Sequence, residues 1–190
     1  MILGITGGTG CGKTTLLRQI QERGGLILDC DAVYHELLSR DMELLNAISD
    51  RFPGVVVEKK LERKKLGAIV FADPQALADL NAITHGAIKA EIVRRLAEKP
   101  PLAAIDAIAL FEGGLAQLCD TTVAVCAPRK ARVERLMDRD GITREYAESR
   151  IDAQKSEDWF RQMCAHTLYN DGTREKFEET CRAFLDGLMK

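Results

Sequence analysis

The stretch that most constrains this chain is GGTGCGKTT, residues 7–15. An apolar run, MILGIT, leads into it, and a string of helix formers, LLRQIQERGG, leads out. Residues 7–14 satisfy G-x-x-x-x-G-K-[ST] in full, in the strand–loop–helix context that the motif requires. The chemistry follows from the residue types. Glycines let the backbone approach a phosphate closely, so that successive N–H groups form a concave anion nest. The helix behind the loop turns its positive end to the same phosphates. Lys13 adds a point charge over the β and γ phosphates, and the Thr14 hydroxyl is placed for Mg²⁺. A dinucleotide loop needs G-x-G-x-x-G with an acid about 20 residues on, and Gly8, Gly10 and Gly12 do not keep that spacing. The loop points to a nucleoside triphosphate.

The rest of the composition narrows the setting. The 190 residues are enough for one domain with a real core. A net charge of −2 gives no global basic field for nucleic acid or anionic lipid. Six cysteines and three histidines are scattered, with no C-x-x-C pair and no zinc spacing. MILGIT lacks the basic start of a secretory signal, and the longest apolar stretch, PLAAIDAIALF, is too short to span a bilayer. A reducing cytoplasm is the expected compartment.

Along the chain, apolar runs alternate with helical periodicity. Strands are expected at residues 2–5, 26–31, 102–112 and 121–127, with a last one at HTLYND. Helices are expected behind the loop, from 32 to about 52 with a break at Arg40-Asp41, from Asp73-Pro74 to Pro100-Pro101, from Pro128, and from 174 to 189. Apolar strands without alternation indicate a parallel sheet covered on both faces, hence an α/β fold of three layers. The expected organisation is one domain over residues 1–190. Its core is 1–30, 100–135 and 165–190, with an inserted helical part at about 31–98 and a small helical lid at about 138–163.

Which phosphate chemistry the loop serves depends on its neighbours. No N-K-x-D element reads a guanine, and Asp138-x-x-Gly141 sits in a charged helix end, so a GTPase is disfavoured. A kinase needs a base for the acceptor hydroxyl and cations for the transferred group. Asp29 and Asp31 end the second strand, on the sheet edge that carries the loop. Were the chain still extended there, the two carboxylates would share one side, roughly 6 to 7 Å apart. Asp31 as a helix N-cap is the plainer alternative. Arg132, Arg135 and Arg139 share a helical face that reads either as a phosphate clamp at the edge of a lid or as a solvated surface with routine ion pairs; the pattern alone favours the surface for Arg132 and places Arg139 better, beside Gly141 and the lid. Lys59, Lys60, Lys64 and Lys65 read as a wet helix face, with Arg63 set apart for an anionic acceptor. His85 reads as a polar rim residue. Cys11 sits inside the loop at a helix N-terminus, a place where a thiol pKa can be lowered, while the six cysteines as a set read as buried thiols.

GITGGTGCGKTT, LDCDAVYHELL, ERKKLGAIVFADPQALADLNAITHGAI, ALFEGGLAQLCDTTVAVCAP, RLMDRDGITREYAESRIDAQ and LYNDG occur in the order seen in the dephospho-CoA kinases, and the chain resembles that family from residue 1 to about 172. The resemblance implies a P-loop kinase with a nucleotide core, an acceptor-binding helical subdomain and a lid. The implied reaction moves the γ-phosphate of ATP, as the Mg²⁺ complex, to the ribose 3′-hydroxyl of dephospho-CoA, giving CoA and ADP. Residue by residue, it implies that Gly8, Gly10, Cys11, Gly12, Lys13, Thr14, Thr15 and Asn170 bind ATP. Asp31 would be the base, with Lys13 and Arg139 on the migrating phosphoryl group. Asp29, Arg63, His85 and Glu112 would line the acceptor side. The sequence departs from the family at Gly86, where proline usually follows the histidine, in the proline-free run 106–112, and at His166, where aspartate is usual. The alternatives are a nucleoside or nucleoside monophosphate kinase with the same core, and a regulatory nucleotide switch. No nucleic-acid or membrane partner is expected.

Overall fold

The computed structural model of the protein describes residues 1–189; residue 190, the last of the expected core segment, lies outside the described residues. The elements in chain order are β1 (Ile2–Thr6), α1 (Lys13–Glu22), β2 (Leu26–Asp29), α2 (Cys30–Arg40), α3 (Met42–Arg51), β3 (Val56–Val57) and β4 (Lys60–Leu61). Then come α4 (Arg63–Ala72), α5 (Pro74–Leu96), β5 (Ala103–Asp106), β6 (Thr121–Cys126), α6 (Arg129–Asp140), α7 (Arg144–Asp152), α8 (Glu157–Met163), β7 (His166–Tyr169) and α9 (Arg174–Leu188). The chain divides into two compact units. One holds Met1–Leu28, Pro100–Phe111 and everything from Leu115 on; the other holds Asp29–Lys99 with Glu112–Gly114.

The first unit is built on a five-stranded sheet of order β2-β5-β1-β6-β7. β1 lies at its centre, parallel to β5 and β6, and β7 runs parallel to β6. The alternation of side chains along a strand sends Leu3 and Ile5 to one face. There they meet Leu16 and Ile20 of α1 and Phe177, Cys181 and Leu185 of α9. On the other face Phe160 of α8 covers Ala124 and Cys126. Gly4 faces this side too, where a Cβ would come 2.8 Å from the Cys119 sulfur. Helices thus cover both faces of a mostly parallel sheet, which is the three-layer α/β class expected from the strand composition. α6 packs on α7 through Val133, Leu136, Ala147 and Ile151, and Gly141, at φ +63°, ends α6 in the left-handed turn that favours glycine.

Two strands are shorter than their apolar runs. β5 stops at Asp106 because its partner β1 stops at Thr6. The last rungs are Ile5 opposite Asp106 and the Ala107 N–H donating to the Ile5 carbonyl at 3.1 Å. Residues 107–112 have no ladder beyond that point, and from 108 on they form turns instead. β2 stops at Asp29, and α2 starts at Cys30 rather than at Ala32.

In the second unit, α5 is the spine against which α2, α3 and α4 pack. Asp73 caps α5 by accepting from the Gln75 N–H at 2.8 Å, and Pro74 opens it. Glu91 is buried on α5 and accepts from Arg94 and Arg95 at 2.7 Å each and from Arg40 of α2 at 2.9 Å. Hydrogen bonds from Arg94 lead the causes that hold its carboxyl down at about 2. The charged stretch before α4 holds a tight hairpin of β3 and β4, with Glu58 and Lys59 both at positive φ, as a two-residue primed turn requires.

Candidate functional site

The glycine loop is held from behind by its carbonyls. Arg132 Nε donates to the Thr9 carbonyl at 2.8 Å, and Arg135 Nη1 to those of Gly10 and Cys11 at 3.1 and 3.4 Å. Asn170 Nδ2 donates to the Cys11 carbonyl at 2.9 Å. With its carbonyls engaged on one side, the peptide plane leaves N–H groups for the other. Among the described residues, no backbone carbonyl accepts from the N–H groups of Gly10, Gly12, Lys13 and Thr14, although the Lys13 N–H lies on the Cys11 sulfur. These four donors and the start of α1 form the anion nest the motif calls for. Gly12 stands at φ +101°, and a Cβ there would meet Asn170 Nδ2 at 2.3 Å, so both its conformation and its surroundings demand glycine.

Lys13 Nζ donates to the Gly7 carbonyl at 3.1 Å and lies 4.0 Å from the Asp106 carboxylate. Both side chains are mostly shielded, at 15% and 16% exposure, so the pair is not a surface accident. The pairing of β5 with β1 sets this up, by bringing Asp106 to the strand end beside the loop. The hard oxygens on offer to a cation are the exposed Thr14 hydroxyl and the Asp106 carboxylate. Among the described residues no group of three or more His, Cys, Asp or Glu could hold a metal alone. That fits Mg²⁺, which takes one or two protein oxygens and draws the rest of its shell from phosphate and water.

A cleft of about 480 Å³ opens beside the loop, lined by Gly12, Thr14, Thr15, Arg135, Asn170 and Phe177 among others. Asn170 is buried there, at the end of β7. Cys11 is buried as well, and burial pushes its thiol up rather than down, against the pull of Lys13. Desolvation thus outweighs the lowering that a helix N-terminus can produce. Its N–H donates to the Gly8 carbonyl at 3.3 Å, inside the loop's own turn.

The arginine face of α6 divides. Arg132 is not a solvated residue: it is 8% exposed, and burial draws its pKa down. Arg139 is 61% exposed at the end of α6 and is paired with Asp140, which also accepts from Arg150 at 2.6 Å.

The remaining predicted residues belong to the second unit. Asp29 is the N-cap of α2: its Oδ1 accepts from the Asp31 and Ala32 N–H groups at 2.9 and 3.1 Å. Asp31 lies in the first helical turn. The two acids are therefore not a pair on an extended strand, and the cap is Asp29 rather than Asp31. The Asp31 carboxylate is exposed and makes no hydrogen bond or ion pair among the described residues. Arg63 is exposed at the start of α4, and its charge offsets the burial that raises the Tyr34 phenol. His85 is half-buried within α5, and Glu112 is exposed in the short segment Glu112–Gly114. Of the lysine run, Lys59 and Lys60 sit on the hairpin, and only Lys64 and Lys65 lie on an exposed helix face.

Asp106 and Gln154 were not singled out from the sequence, and Arg132 and Arg135 were named there on their helical face without a place behind the loop. Asp106 carried a signal, as the acid that ends an apolar strand. Arg132 and Arg135 share a face at i, i+3, but only the pairing of β6 with β1 shows that α6 starts beside the loop. Gln154, beyond α7, accepts from the Thr9 N–H at 2.8 Å and had no local signal at all.

The family model for dephospho-CoA kinase (CoaE) matches residues 1–176. A dephospho-CoA kinase of Deinococcus radiodurans is 38% identical over 180 residues, which cover 93% of this chain and 86% of the relative. A crystal structure from Thermus thermophilus superposes with a TM-score of 0.82 at 33% identity, over 99% of this chain and 97% of that one. A shikimate kinase of Bacteroides thetaiotaomicron shares the fold, with a TM-score of 0.61 at 13% identity.

Proposed function

The chain belongs to the dephospho-CoA kinase family, and we propose that it carries out that family's reaction, the last step of CoA synthesis, with the residues that follow. ATP is the donor. Its α and β phosphates lie on the N–H groups of Gly10, Gly12, Lys13 and Thr14, with the Lys13 ammonium over the β and γ phosphates, and its nucleoside occupies the cleft beside Asn170. Bound Mg²⁺, held by Thr14 and Asp106, would neutralise charge on the β and γ oxygens. Asp31 accepts the proton of the ribose 3′-hydroxyl as that oxygen bonds to the γ phosphorus. ADP departs with the electrons of the broken P–O bond. Lys13 follows the migrating phosphoryl group, and Arg139 exchanges Asp140 for it from the lid.

The helices of the second unit receive the acceptor, with Arg63, His85 and Glu112 lining its place. The observation that carries the donor half is the Lys13 ammonium, shielded between the Gly7 carbonyl and Asp106 at the mouth of the nest. Asp31 is supported by its uncommitted carboxylate. The cytoplasm is the proposed compartment: the cysteines are free thiols, and no helix of the described residues is long and apolar enough to cross a membrane.

An assay of ADP release with dephospho-CoA, AMP, CMP and deoxynucleosides as acceptors tests the reading. Turnover with dephospho-CoA alone is expected. Turnover with a nucleoside monophosphate and none with dephospho-CoA would replace the acceptor.

A further inference from the structure

The Thr9 peptide is gripped at both of its polar groups. Its carbonyl accepts from Arg132 Nε at 2.8 Å, and its N–H donates to Gln154 Oε1 at 2.8 Å. Arg132 Nη2 donates to the same Gln154 oxygen at 3.2 Å, which closes a triangle of three groups. They come from three places far apart in sequence: the loop, α6 and the segment between α7 and α8. Gln154 is itself fixed, since its N–H donates to the Ile151 carbonyl at the end of α7. The contact removes one loop N–H from the anion-binding set and gives it to the lid segment.

The position of that N–H within the loop matters. The free donors run from Gly10 to Thr14, toward the helix, where the loop cradles the inner phosphates. Lys13 Nζ marks the outer, β/γ end, and its hydrogen bond is to Gly7. Thr9 therefore belongs to the half of the loop that borders the terminal phosphate. A glutamine suits the place, because one neutral amide oxygen serves both donors without adding a negative charge next to that phosphate.

We propose that Gln154 is a positioning residue for the donor's terminal phosphate, acting through the Thr9 peptide and Arg132 to fix the outer half of the phosphate loop to the lid segment. This rests on the reading of the loop as a triphosphate site. With Gln154 removed, the inner cradle from Gly10 to Thr14 keeps its bracing by Arg135 and Asn170, so ADP still has its contacts. The outer half loses its register, and the γ-phosphate loses a formed place.

The test is calorimetric titration of ADP and of a non-hydrolysable ATP analogue, each with Mg²⁺, into the wild type, Gln154→Ala and Gln154→Met. Methionine keeps the length of the side chain without its acceptor. Both variants are expected to bind ADP within about twofold of the wild type and the ATP analogue about 10-fold more weakly, the loss of one hydrogen bond of ordinary strength. An unchanged ratio of the two affinities, or an equal loss of both, would overturn the proposal. If Gln154→Ala does not fold, Gln154→Met decides the matter by the same ratio. Absence of ATP binding by the wild type would instead overturn the triphosphate reading itself.

Discussion

Replacing Gly8 by alanine is a test of the loop's bracing that needs no substrate. Gly8 has no positive φ to explain its glycine. What it provides is space: a Cβ there would stand 2.2 Å from Arg132 Nη2 and 2.7 Å from its Cζ. Neither is a tolerable contact, so the guanidinium must leave. It then gives up its bonds to the Thr9 carbonyl and to Gln154. A hydrogen bond to a charged group contributes about 1.5–3 kcal/mol, so Gly8→Ala is expected to destabilise the protein by roughly 2–3 kcal/mol. Arg132→Ala removes the same bonds and is expected to cost about as much. The two losses are one loss. Gly8→Ala/Arg132→Ala is therefore expected to fall about 3 kcal/mol below the wild type rather than about 5, a coupling near 2 kcal/mol. Urea titration of the four proteins measures this, read from midpoints at constant slope. Additivity to within about 0.5 kcal/mol would show that Gly8 and Arg132 do not share a contact and would refute the reasoning.

Other consequences are as specific. Asp31→Asn is expected to leave ATP affinity unchanged and to lower kcat by about 10² or more, as the loss of a general base does; near-normal turnover would remove Asp31 from the mechanism. Glu91 has a carboxyl held near 2 by its arginines, against an ordinary 4.5. Its folded pKa is depressed, so its contribution is complete above the unfolded value and is lost as pH falls from about 5 toward 2. The stability gap between wild type and Glu91→Gln is thus expected to be constant above pH 5 and to close below it; a gap that persists at pH 2 would contradict the network. Cys11 is buried with a raised thiol pKa. Peptide mapping after iodoacetamide treatment at neutral pH is expected to find it unlabelled in the native protein and labelled in urea, and rapid native labelling would place the thiol elsewhere.

The phosphate loop could be read from the sequence because every requirement it meets is local: glycines, a lysine and a hydroxyl between an apolar strand and a helix. The three-layer core was legible for a related reason, since a strand buried on both faces has no polar alternation. The acids at 29 and 31 were placed one strand end too far. The capping preference of Asp29 outweighed the β propensity of the residues around it, and α2 began two residues early. Arg132 looked solvated because a guanidinium near a helix start usually is, and its burial depends on loop carbonyls some 123 positions away in sequence. Gln154 depends on a contact 145 positions distant. Nothing in the short segment around it distinguishes it from an exposed polar residue.

The identity of the product decides most directly what this protein does with its phosphate loop. ³¹P NMR of the protein incubated with Mg-ATP and dephospho-CoA is expected to show ADP and one new phosphomonoester, coupled to the ribose H3′, in equal amounts, and Lys13→Ala is expected to abolish both. ADP formed with inorganic phosphate, or a monoester at any other hydroxyl, would contradict the proposed reaction.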